Sequence, residues 1–387
     1  MERRPSPVGG LKRKLVPRES GKPKGGSKKL IKETKEYKWK NFIKEEGKKG
    51  AWTMAYKIGF NKLKTDMLYN SLKIDNKEII KISEVAETLL EKLLPDDNLE
   101  TETQAHSNIR RQIKEPPDSD NTGKFSKHEL EYCLKSLGRN KAPGRDGITA
   151  EMIYKGGDKI KEVLLGIYND CLDNETFPNK WKTAYLRTIP KGRKKDKNKI
   201  KAYRPLCLLP VMGKIYEKLI LTIWIPKRKK HQRSINSALN HAINSKFKAV
   251  LGLFTDIQGA FDNVWWPNVL HSLKEMNCAK NIYKTIQNYL EHRTCNFKIS
   301  SKAYRKKLTK GCPQGSVLGP TLWNIVMNNC LKTRTPEHIN KIAYADDLLI
   351  IIHGSSRADI ERKAAIEIEN IETWCNTSKL NISEEKT

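Results

Sequence analysis

No two of the eight cysteines stand at CxxC spacing. That argues against a zinc site and a disulfide framework and fits a reducing compartment. The N-terminus opens with Arg3 and Arg4 but has no apolar h-region, so no secretory signal is read. No apolar run approaches the roughly 20 residues that span a bilayer. The expectation is therefore an intracellular protein, nuclear and cytoplasmic, with no membrane partner. Apolar residues are scarce at 37%, so part of the chain is expected not to pack. Acids are outnumbered, 44 against 74 Lys and Arg, leaving a net charge of +30. A charge that large repels itself unless a polyanion offsets it, and nucleic acid does so through its phosphates. No internal repeat is found.

Three regions are read along the chain. Residues 1–50 are rich in Lys, Arg, Gly, Pro and Ser without apolar periodicity and read as a disordered basic arm. Its Lys12-Arg13-Lys14 cluster fits a nuclear localisation signal and equally a plain basic tail. Residues 51–125 read as a helical region and linker. Ile80, Val85, Ala86, Leu89, Leu90, Leu93 and Leu94 recur at helical spacing up to Pro95, and 96–123 is polar with Pro116-Pro117. From 126 to 387 helices and strands alternate, which predicts an α+β domain with a mainly antiparallel sheet. Strands are expected at 184–189, 249–255 and 348–352. Helices are expected from Ser126, near 158–173, and at 211–223, 268–276, 280–291 and 357–376. In the last, Ile360, Ala364, Ile368, Ile371 and Cys375 share a face.

Two apolar strands end in acids. One runs from Ala249 to Asp256; the other leaves the turn Tyr344-Ala345-Asp346-Asp347. Alone, an Asp-Asp pair in a hairpin is ordinary turn chemistry. Carboxylates gathered at one sheet edge repel each other, and a divalent cation removes that cost. Magnesium takes oxygen ligands from one or two carboxylates plus substrate phosphates. Two such ions serve an in-line phosphoryl displacement.

The neighbouring residues carry a resemblance. Tyr344-Ala345-Asp346-Asp347 resembles the Y-x-D-D box of reverse transcriptases, and Asp256-Ile-Gln-Gly-Ala-Phe261-Asp262 resembles their first metal-binding motif. Asn140-Lys-Ala-Pro-Gly-Arg-Asp146-Gly147, Ile189-Pro190-Lys191 with Tyr203-Arg204-Pro205, Gly311-Cys312-Pro313-Gln314-Gly315-Ser316, and Leu380-Asn381 through Lys386-Thr387 resemble further motifs in the family's order. The wording Asp262-Asn-Val-Trp-Trp-Pro267 is similar to non-long-terminal-repeat (LINE-type) elements of the arthropod Jockey and R-element groups.

The resemblance implies a right-hand polymerase, fingers and palm, with an antiparallel palm sheet. It implies an RNA-directed DNA polymerase with two Mg²⁺ ions, Mn²⁺ substituting. Its partners would be an RNA template, a DNA primer and deoxynucleoside triphosphates. Asp256, Asp346 and Asp347 become the catalytic metal ligands, with the carbonyl of Ile257 a further ligand. Phe261, against a plain core aromatic, would select deoxynucleotides. Gln314 and Gly315 would lie against the incoming nucleotide, Lys191 and Arg204 against its triphosphate, and Tyr344 beside the acids. Lys386 is a candidate general acid.

The pattern departs from the family in two places. The segment 225–240 is shortened and has no Gly-Phe-Arg. The chain stops at Thr387, so the thumb is expected to be absent and the chain truncated, and no endonuclease is expected before residue 50. The alternative is a catalytically impaired remnant that binds RNA or DNA.

Overall fold

The structure is a computed structural model that describes residues 71–74, 77–139, 141–191, 196, 198–224, 249–299 and 302–383, with isolated positions between 33 and 45. Most of the expected basic arm, Asn140, the shortened 225–240 segment and Lys386 lie outside the described residues. The chain divides into Met1–Leu68 and Tyr69–Thr387, and the second unit carries the sheets and the core.

The unit opens with a hairpin, β1 (Leu72–Ile74) and β2 (Lys77–Ile79), paired antiparallel. This corrects the expectation of unbroken helix up to Pro95. The sequence between the strands is Asp-Asn, a turn pair that periodicity does not register. Helix α1 (Ile82–Leu93) then buries Val85, Ala86, Leu89, Leu90 and Leu93 as expected, whereas Ile80 precedes it and is exposed.

The stretch read as a linker also differs. It holds α2 (Gln104–Gln112), opened by a capping box between Thr103 and His106, with His106 and Ile109 buried. Composition hid this helix because its buried face is only two residues wide.

Helix α3 (Lys127–Lys135) starts at Ser126, whose hydroxyl accepts from the Glu129 amide while Glu129 reaches back. Then come α4 (Ala150–Lys155), α5 (Gly157–Asp173), α6 (Asn179–Lys182), β3 (Thr183–Pro190), β4 (Tyr203–Leu208) and α7 (Val211–Trp224). The remaining elements are β5 (Ala249–Asp256), α8 (Ala260–Asn263), α9 (Trp266–Glu275), α10 (Lys280–Leu290), β6 (Thr294–Ile299), β7 (Lys302–Lys307), α11 (Gly319–Lys332), β8 (Ile339–Tyr344), β9 (Asp347–Gly354) and α12 (Arg357–Ser378).

Two larger sheets result. The order β5-β9-β8 is antiparallel throughout, as expected. The order β4-β3-β6-β7 is mixed, because β3 and β6 run parallel across a long connection. Leu348, Ile350 and Ile352 turn one face of the first sheet into a core shared with α7 and α9–α12. The second sheet buries Ala184, Leu186, Cys207, Cys295 and Phe297 against α1 and Leu72.

Helix α12 corrects one detail of the expected face. Ile360, Ile371 and Cys375 are buried, but Ile368 is exposed. Lys363 and Glu367 are buried in its place. The ammonium of Lys341 on β8 meets Glu367 at 3.0 Å, and Lys363 donates to the His353 carbonyl at 3.0 Å. Charge pairing rather than hydrogen bonding holds the Glu367 carboxylate, whose two oxygens are buried.

Candidate active site

β9 is a buried run of Leu and Ile that anchors the sheet, and β5, apolar but largely exposed, pairs along its whole length with it. That register sets Asp256 directly opposite Asp347, and Tyr344 opposite Asp347 on the other side. Asp256, Asp347 and Tyr344 therefore form one row at the sheet's end, pointing to the same face. Asp347 and Tyr344 are exposed, and Asp256 is half-buried. Like charges directly opposite each other destabilise a sheet.

Asp346 sits in the two-residue turn after Ala345, which takes the left-handed φ of +56°. That conformation is costly for alanine. Trp323 on α11 holds the turn by donating its indole N–H to the Ala345 carbonyl at 2.7 Å. The Asp346 carbonyl in turn accepts from the Ile257 amide at 3.3 Å.

The other flank of Asp256 is braced by the chain after α12. Ile257 bridges Ile382, the Gln258 amide donates to the Asn381 carbonyl at 2.9 Å, and the Ser383 amide donates to the Asp256 carbonyl at 2.8 Å. Both bonds fall on the neighbours of Ile257, so its own carbonyl is not used by that pairing. The donor set at this end is oxygen only: three carboxylates and the Ile257 carbonyl. It fits a hard divalent cation, which uses one or two carboxylates and completes its shell with phosphates and water. Among the described residues no three His, Cys, Asp or Glu side chains already converge as a metal cage.

Beyond Asp256 the chain turns at Gly259 (φ +57°) into α8. Phe261 leaves α8 and packs on Trp323, ring centroids 6.0 Å apart. One indole thus contacts both Phe261 and the acidic turn. The loop 311–316 closes over α8: the Cys312 amide donates to the Phe261 carbonyl at 2.7 Å, and Gly311 donates to Val264 at 2.8 Å. The amide nitrogen of Gln314 donates to both carboxylate oxygens of Asp262, at 3.0 and 3.1 Å. Burial pushes the Asp262 carboxyl up to about 6, against the opposing pulls of the Gln314 bond and the Lys191 charge.

At Gly315 the loop meets the four-stranded sheet. The Gln314 carbonyl accepts from the Cys207 amide on β4 at 2.8 Å, and a Cβ on Gly315 would lie 2.5 Å from the Cys207 carbonyl oxygen. Only glycine suits that approach and its φ of +120°. Behind the loop, buried Glu217 accepts from the Ser316 hydroxyl at 2.7 Å and from the Leu318 amide at 3.0 Å.

Lys191 lies where β3 ends, its amide donating to the Ala202 carbonyl at 2.6 Å. Arg204 is exposed on β4 at the same end of the sheet, opposite Ile189. The register puts Arg187, Arg204, Lys298, Arg305 and Lys307 on the open face of the four-stranded sheet, together with Tyr185, Asn296, Thr183 and Thr294. Ile189, Leu206, Leu208 and Ala303 share this face, and since no Asp or Glu occurs in these four strands its charge is all positive.

The structure thus brings together Asp256, Asp346, Asp347 and Ile257, and separately Lys191, Gln314, Gly315 and Asp262, with Phe261 between them through Trp323. Lys386 lies outside the described residues. Sequence reasoning gave no role to Asp262, Glu217 or Trp323. A lone acid within the apolar helix Val211–Trp224 was the signal for Glu217; nothing local marks the other two.

The profile of the reverse transcriptase (RNA-dependent DNA polymerase) family matches residues 190–387, and the chain belongs to that family. It is 31% identical over 360 residues to the putative 115 kDa protein in type-1 retrotransposable element R1DM of Drosophila melanogaster, covering 90% of this chain and 34% of that protein. It is 27% identical over 379 residues to the retrovirus-related Pol polyprotein from type-1 retrotransposable element R1 of Bradysia coprophila, covering 93% of this chain and 36% of the relative. With the RNA-directed DNA polymerase from mobile element jockey of Drosophila melanogaster, identity is 32% over 287 residues, 67% of this chain and 31% of the relative. The chain spans about a third of the length of these curated relatives. The resemblance to non-long-terminal-repeat elements of the R1 and jockey kind stands. Among the described residues no helix is long and apolar enough to cross a membrane.

Proposed function

We propose that this chain is the polymerase segment of a non-long-terminal-repeat retrotransposon protein, extending a DNA primer along an RNA template. The observation that carries the reading is the register of Asp256 opposite Asp347, beside the Asp346 turn. In this reading residues 126–387 form the fingers and palm: the β5-β9-β8 sheet is the palm and the β4-β3-β6-β7 sheet belongs to the fingers.

Asp256, Asp346 and Asp347 would hold two magnesium ions, or manganese in their place, with the Ile257 carbonyl a further oxygen ligand. When bound, the ions supply charge neutralisation at the attacking and leaving oxygens. The chain's own residues do the rest. Phe261, fixed by Trp323, fills the space where a ribose 2′-hydroxyl would lie and so favours deoxynucleotides. Gln314 and Gly315 line the nucleotide, Gly315 because a side chain there has no room. Lys191 and Arg204 offset charge on the triphosphate. Lys386 is the candidate proton donor to the leaving pyrophosphate. The basic face of the four-stranded sheet supports a template held by its backbone, a contact that positions without reading sequence.

The test is primer extension on poly(rA)/oligo(dT) with Mg²⁺ or Mn²⁺, beside Asp346→Asn. An outer-shell partner of a metal ligand typically contributes about 10–100-fold, so loss of a ligand should exceed that while RNA binding is unchanged. Equal loss of incorporation and RNA binding would overturn the metal assignment. RNA binding without incorporation in the wild type would favour a binding-only protein.

A further inference from the structure

A buried ion cluster lies outside the acidic site, on the segment that composition reads as a linker. Asp97 is its centre, its side chain 8% exposed. It accepts from the Lys379 ammonium at 2.8 Å, from the Trp265 indole at 3.1 Å and from Arg110. Glu102 accepts from the same Lys379 at 3.0 Å and from Arg110 Nε at 2.7 Å. Lys379 and Arg110 both stand over the Trp265 ring, 5.0 and 5.4 Å from its centroid. His106 meets that ring edge-on and reaches the Asn376 carbonyl through Nε2 at 2.9 Å. Two acids and two cations balance, and each is hydrogen-bonded.

What Lys379 does for the backbone gives the cluster a function. It caps α12 in the left-handed conformation, φ +53°, a strained geometry for a side chain with a Cβ. The very next residues, Leu380 to Ser383, run beside Ile257 and bond its two neighbours. The position of that short strand is thus fixed at one end by the Lys379 ammonium. At its other side, Trp265 belongs to the chain that follows α8 directly. The cluster grips both flanks of the segment that carries Asp256.

We propose that Asp97 and Glu102, through Lys379, are positioning residues for the acidic site: they hold the 380–383 strand against Asp256–Gln258 and so set the metal affinity of Asp256. The segment before the polymerase motifs is then a working part of the polymerase. The proposal rests on the reading of Asp256 as a metal ligand, but its mechanical half stands apart from that reading. Removing the Lys379 charge leaves two buried carboxylates sharing Arg110, which favours release of the 96–102 loop and of the strand end.

The experiment compares wild type with Lys379→Met, Lys379→Arg and the milder Glu102→Gln. Two readouts are taken: amide hydrogen exchange at Gln258 and Ser383, and Mn²⁺ binding followed by electron paramagnetic resonance. Lys379→Met is expected to lose protection at both amides and to raise the Mn²⁺ dissociation constant by about tenfold, the scale of outer-shell partners. Lys379→Arg is expected to restore both, and Glu102→Gln to show a smaller change in the same direction. Unchanged protection in Lys379→Met and Glu102→Gln overturns the clamp. Lost protection with unchanged Mn²⁺ affinity overturns its link to the metal. A wild type that binds no Mn²⁺ overturns the polymerase reading of Asp256 instead, while the exchange data still decide the clamp.

Discussion

Asp262→Asn offers a perturbation whose size is set by the site. The Asp262 carboxyl is held near 6 where 3.8 is ordinary, because burial disfavours its charge. Each pKa unit corresponds to about 1.4 kcal/mol between protonation states, so the shift amounts to at most about 3 kcal/mol. The side chain is half-buried, and solvent screening lowers that to roughly 1–2 kcal/mol. The folded protein holds this proton more tightly than the unfolded chain. The group's contribution to stability is therefore full below pH 4 and is lost as pH rises through 6. Asparagine does not titrate, so its stability relative to wild type should improve by that amount between pH 3 and 7.5. Urea unfolding of both proteins at the two pH values measures the difference, with all other titrating groups common to both. The same change bears on Gln314 in the proposed nucleotide site. An ionised Asp262 orients the Gln314 amide nitrogen toward itself, whereas a protonated one can donate to the amide oxygen and permit the opposite orientation. The wild-type KM for a deoxynucleotide should then vary with a midpoint near pH 6, and that of Asp262→Asn should lack this transition. An identical stability difference at both pH values would refute the argument.

Two further substitutions probe the frame around the acids. Gly315→Ala puts a Cβ 2.5 Å from the Cys207 carbonyl oxygen at a φ of +120°. It should cost about 1–3 kcal/mol in strain and raise the KM for nucleotide; an unchanged KM with unchanged thermal stability would contradict the close approach. Trp323→Phe removes the indole donor to the Ala345 carbonyl. A drop of about 1–2 kcal/mol with a lower kcat and unchanged template affinity is expected, checked by unfolding and primer extension; a kcat equal to wild type would detach the turn from catalysis.

Much of the site was legible because its signals are local. The strand from Ala249 to Asp256 and the Tyr344–Asp347 hairpin announce themselves by apolar runs ending in acids, and both are found where expected. Helix α3 likewise starts at Ser126, where it was expected. The hairpin at 72–79 escaped because three-residue strands are too short for periodicity to register. The parallel pairing of β3 with β6 escaped because nothing within either strand names a partner more than a hundred positions away. Helix α2 escaped because its buried face holds only His106 and Ile109, too few apolar positions to register a helical period.

The sequence by itself determined which groups are available: three acids on two apolar strands, a glycine where a side chain has no room, an aromatic five positions after the first acid, and a large positive charge. Tertiary structure alone decided what those groups do to one another. It set Asp256 opposite Asp347, gave Asp262 to Gln314 across 52 positions and joined Asp97 to Lys379 across 282. Such pairings depend on burial and register summed over the whole fold. The charge gathered by five basic residues on one sheet face depends on the same sum, since strand order assembles it from residues scattered along the chain.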